Sequence, residues 1–311
     1  MPENSEKRTQ IAWELNRRSR LAVPAFAGGF LYLLSAIVIT AALTGLPTVG
    51  PLQGLQHALR GEAHPPVSTR TAEVKFVSQH AFALIAGSTM AAIAVLALVL
   101  VLLLLYRASE FRREQMWRPA RTLVLVGGIA VAVLGIAHQV VGAIEAHRFA
   151  VGHDHSHRAM EHALTKATVI EVVGNVGLLA GLLLFIGMVA TMLNALRVGL
   201  ITRWMGYLGM FTGFLIFAPL GGATLQLIPA FWMVMMGILL SGRWMGGDPP
   251  AWEAGEARPW PSRAQVQAER TAKAKGEPVP AAVGAGDVAP APRPQQAGTS
   301  RKRRRKGAGP A

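Results

Sequence analysis

TLVLVGGIAVAVLGIAHQVVGAI (122–144), EAHRFAVGHDHSHRAMEHALTK (145–166) and ATVIEVVGNVGLLAGLLLFIGMVATMLNAL (167–196) follow one another without a break. Their reading decides the fold. A hydrocarbon core about 30 Å thick takes ~20 apolar residues of helix to cross. The first and third stretches each meet that length, and the middle one is polar. Together they read as a transmembrane helical hairpin capped by a polar loop.

Composition points the same way. Of 311 residues 51% are hydrophobic and 15% charged, against roughly 25% charged in soluble domains. Mean hydropathy is +0.35. The chain has no cysteine, which excludes disulfides, thiolate metal sites, thiol catalysis and c-type haem attachment.

Outward from the hairpin four more spans are read, one of them (204–219) short enough to need local bilayer thinning, so the expected fold is an all-α, polytopic six-helix transmembrane bundle. Residues 1–20 form a charged N-terminal segment with only a short apolar patch at Ile11, Trp13 and Leu15. The transmembrane domain covers 21–242, with spans at 21–46, 77–105, 122–144, 167–196, 204–219 and 223–242. Pro24 falls in the first turn of the first span, where proline is tolerated. The last two spans divide an uncharged run, 204–242, that is too long for one crossing; Ala218-Pro219-Leu220-Gly221-Gly222 supplies the break. Residues 243–311, rich in Pro, Ala, Gly, Glu and Arg, are expected to be a disordered basic tail.

Lysine and arginine set the orientation. With both ends in the cytoplasm, 25 of the 31 basic residues lie inside and six outside. The net charge of +14 therefore falls on the inner face rather than marking a specific nucleic-acid binder. The tail closes on Arg301, Lys302, Arg303, Arg304, Arg305 and Lys306. Beside a bilayer such a run attracts anionic lipid at about 1 kcal/mol per basic residue, and it is also suited to a cytoplasmic partner.

All nine histidines fall on the predicted outer half, five of them in the 145–166 loop. His153, His155, His157, Glu161 and His162 are candidate ligands for a divalent transition metal (Zn, Ni or Cu), because neutral imidazole suits these ions. On a helix His153, His157 and Glu161 share one face; a solvated, pH-responsive loop is the plainer alternative. A second group, His80, His138, Glu145, Glu171 and Asn175, lies at or inside the membrane boundary. Ionisable groups there are expensive and need a partner or a cavity. His138 and Glu171 sit at similar depths, so an interhelical pair or an ion path through them is expected.

No HExxH, GxSxG, Walker or GxGxxG signature occurs, so no enzyme is expected. LRVGLITRWMGYLGM (196–210) and GRWMGGDPPAWEAGEARPWP (242–261) resemble a family of uncharacterised six-helix actinobacterial integral membrane proteins, a domain of unknown function. The resemblance implies a plasma-membrane bundle and carries no catalytic residue. Three functions stay open on the sequence: metal or pH sensing by the outer loop, ion transport through His138 and Glu171, or a structural scaffold whose tail recruits lipid or partners.

Overall fold

A computed structural model describes residues 2–47, 71–113, 116–153, 159–160, 162, 168–218, 222–245, 247–260, 267 and 271. Among these there is no strand, and the chain is all-α. The helices are α1 (Pro2–Leu43), α2 (Thr71–Gln79), α3 (Ala81–Arg112), α4 (Pro119–Val151), α5 (Thr168–Val198), α6 (Arg203–Phe217), α7 (Gly222–Leu240) and α8 (Pro250–Ala254). Residues up to Trp260 make one compact unit, and Pro261–Ala311 are a second.

Four helices, α1 from Lys7 onward, α3, α4 and α5, are long and apolar enough to cross a membrane. Helices α6 and α7, with 15 and 19 residues, are shorter; at 1.5 Å per residue they reach about 22 and 28 Å. Helix α3 is central and packs against α1, α4 and α5, while α7 lies along α1 and α6 along α5. Leu98, Leu102 and Leu105 of α3, Leu184, Met188 and Met192 of α5, Met205 of α6 and Trp232 of α7 form the core. The Trp232 indole N–H donates to the Met205 carbonyl at 2.9 Å, so the largest core side chain leaves no polar atom unpaired.

Three boundaries differ from the sequence expectation. The charged segment 1–20 is continuous with the first span, because α1 runs unbroken from Pro2 to Leu43. No glycine interrupts 1–20, and Pro2 starts the helix where a missing N–H costs nothing. Pro24 thus sits deep inside α1 rather than in a first turn, at the cost of one backbone hydrogen bond. The expected second span, 77–105, is broken at His80, which separates α2 from α3. Helix α4 overshoots its expected end at 144 by two turns, which moves Glu145 and His147 from the loop onto helix.

The fourth difference concerns the tail. Residues 247–260, expected to be disordered with the rest of 243–311, are folded against the bundle, with Ala251 and Trp252 fully buried. Short polar segments gain order when they carry an aromatic that finds a pocket, and Trp252 does.

Candidate functional site

At one end of the bundle α1, α3 and the 247–260 segment are joined by two buried arginines. Glu14 lies on the extra turns of α1 and Arg112 on the last turn of α3. The two meet in a bidentate pair at 2.7 and 3.0 Å, and neither side chain is exposed. Arg112 also donates to the Ala251 carbonyl from Nε and Nη2 at 3.1 and 2.8 Å and to the Ala108 carbonyl from Nη1 at 2.7 Å. Every donor direction of the guanidinium is therefore used, as a charge held away from water requires. Gln10 Nε2 donates to Glu14 Oε1 at 3.0 Å.

Arg18, one turn further along α1, holds Asp248 through Nη1 and Nη2 at 3.0 and 2.7 Å and donates to the Leu239 carbonyl at the end of α7. Its Nε is buried without a partner. Both guanidinium groups lie over the Trp252 ring, Arg18 at 5.2 Å and Arg112 at 5.7 Å from its centroid. Both distances allow cation–π attraction. Its indole N–H reaches the Leu200 carbonyl at 3.0 Å, and the Arg258 amide donates to the Val198 carbonyl at 3.0 Å.

Gly199 makes that last contact feasible. Its φ is +82°, and a Cβ there would overlap the Arg258 carbonyl. The whole assembly is a clasp that ties the first turns of α1 and residues 247–260 to the core. Around it Arg8, Arg17, Arg20, Arg107, Arg118, Arg121, Arg197, Arg203, Arg243 and Arg258 are exposed, a strongly cationic rim. Sequence reasoning missed the clasp. The signal available was the DPPAWE stretch: an aromatic and an acid beside prolines, in a tail otherwise poor in large side chains.

The polar groups expected on the outer side are at the other end, and those among the described residues are not gathered into one cluster. His80 is half-buried, stacked on Phe76 with ring centroids 4.1 Å apart and its Nδ1 2.9 Å from the Phe76 carbonyl. Glu145 pairs with Arg148 at 2.8 Å on the same helix. His138 lines a shallow pocket with Val77, Leu84, Gln139 and Gly142.

The expected His138–Glu171 pair does not form. Among the described residues neither has a hydrogen-bond or ion-pair partner, and both are exposed. Their depths do agree: a Cβ on Gly127 would lie 2.5 Å from the Leu184 nitrogen, and one on Gly187 2.8 Å from the Val124 nitrogen. That antiparallel register, carried outward, sets Glu171 about 3 Å above His138. Azimuth is what separates them. With Leu184 and Gly187 turned to α4, Glu171 and Asn175 fall roughly 170° and 150° round the α5 axis, on the side away from α4.

Of the expected metal ligands, His153 and His162 are exposed; His155, His157 and Glu161 lie outside the described residues. Among the described residues no three His, Asp or Glu side chains are grouped to hold a metal ion. Arg301 to Lys306 also lie outside them. No family model matches the chain, and neither a curated protein nor a solved structure is similar to it.

Proposed function

We propose that the chain is a six-span plasma-membrane scaffold, with both ends in the cytoplasm, whose clasped face presents a basic C-terminal arm to anionic lipid or a cytoplasmic partner. The observation that carries this reading is the Glu14–Arg112–Ala251 and Arg18–Asp248 network. It commits several buried charge-assisted bonds, each roughly twice as strong as a neutral one, to holding residues 247–260 on the bundle. The described segment therefore ends on Trp260, whose carbonyl accepts from Arg203.

A second reading, metal capture or pH response at the outer surface, is favoured by the exposure of His147, His153 and His162 away from the clasp. One experiment bears on both. Because the chain lacks cysteine, Glu253→Cys and His153→Cys each supply a single thiol for an impermeant reagent. The expected outcome is labelling at 153 in intact cells and at 253 only after the cells are broken open. The reverse pattern would remove the cytoplasmic arm and the outer histidine surface together.

A further inference from the structure

Helix α5 carries a second pattern that no other described residue covers. Val172, Leu179, Ile186 and Leu193 recur every seven residues and are 53, 57, 38 and 36% exposed. Asn175, Leu182 and Val189 fall three residues after the first three of these. The two sets alternate as the a and d positions of a heptad seam do. The seam spans about 32 Å, the full depth of a hydrocarbon core, and it faces away from α4. Asn175 is its single polar member, is exposed, and has no hydrogen-bond partner among the described residues.

We infer that this face of α5 is the contact between two copies of the chain, packed as a parallel helix pair across a twofold axis. The occupant follows from the chemistry of the seam. In lipid an amide without a partner is costly, and TM helices pair through such groups. A carboxamide has both donors and an acceptor, so Asn175 of one copy satisfies Asn175 of the other, as a twofold contact demands. Copies inserted with the same orientation present their α5 helices parallel and in register, so the two Asn175 amides meet at one level. The seam is complete only when the second copy supplies the facing amide. The inference rests on membrane insertion alone and does not depend on the scaffold reading or on which end is cytoplasmic.

The test is oxidative cross-linking of single-cysteine variants in native membranes. Leu179→Cys and Ile186→Cys are expected to give disulfide-linked dimers. Val176→Cys, off the seam on the same helix, and Phe30→Cys, on the exposed face of α1, are expected to stay monomeric. In dilution series in detergent or bilayer, Asn175→Leu is expected to weaken self-association about 3- to 30-fold, the equivalent of ~0.6–2 kcal/mol, with Asn175→Gln retaining most of it. Equal cross-linking at all four positions, dimers through position 30, a link to a different protein, or no dimer at all would each overturn the α5 contact. Asn175 is exposed in the monomer, so loss of fold in the leucine variant is not expected; the cysteine scan decides the matter even if that variant is lost.

Discussion

Glu14 and Arg112 show what a single buried charge pair asks of its surroundings. Removing one partner leaves the other charged and dry, and such changes cost about 3–5 kcal/mol. Glu14→Gln is therefore expected to lower the thermal unfolding midpoint in detergent and to expose 247–260 to protease. Replacing both partners with apolar groups, Glu14→Leu with Arg112→Met, is expected to recover most of the loss, because no charge is then stranded. A Glu14→Gln protein as stable and as protease-resistant as the parent would mean that the pair contributes nothing to the clasp. None of these partnerships was legible from residue types alone. A glutamate in a charged N-terminal segment and an arginine in a basic connector read as solvated, and only the path of α1 and α3 brings them within 3 Å.

Helices were the most legible level of this protein. The run at 122–144 lies inside α4 and residues 168–196 of the next run lie inside α5, and the break in the uncharged 204–242 run falls between Phe217 and Gly222. What apolar runs do not mark is where a helix stops in water, so α1 and α4 extend well past the expected span ends on polar residues. Close contact between α4 and α5 rests on Gly127 and Gly187, where a Cβ would meet backbone that cannot yield. Valine at either position is expected to cost about 1–3 kcal/mol by forced overpacking, read as a lower unfolding midpoint. Gly174→Val on the first half of α5, where a Cβ would meet nothing within 4 Å among the described residues, is expected to be neutral or slightly stabilising. If all three behave alike, the register between these helices is not the one described.

At the scale of the molecule the two ends of the bundle differ in kind: one is closed by buried arginines, and at the other no three His, Asp or Glu side chains are grouped among the described residues. A scaffold with a basic arm makes a definite prediction for Arg301–Lys306. In nanodiscs of anionic lipid these basic residues are expected to be cut by trypsin several-fold more slowly than in zwitterionic nanodiscs. The difference should vanish in high salt, which screens surface attraction. Equal cutting in both lipids would leave the arm without a lipid role and turn attention to a protein partner.

Hydropathy run lengths determined by themselves that the chain is helical and membrane-suited, because the thickness of a hydrocarbon core converts directly into residues along a helix. They also placed His138 and Glu171 at nearly one depth, since rise per residue is constant. Rotation about the helix axis was decided only by tertiary packing: the glycine contacts of α4 and α5 turn Glu171 and Asn175 to the far side. The clasp was decided there as well, for a buried ion pair joins residues 98 positions apart, and no local property of either stretch encodes its partner.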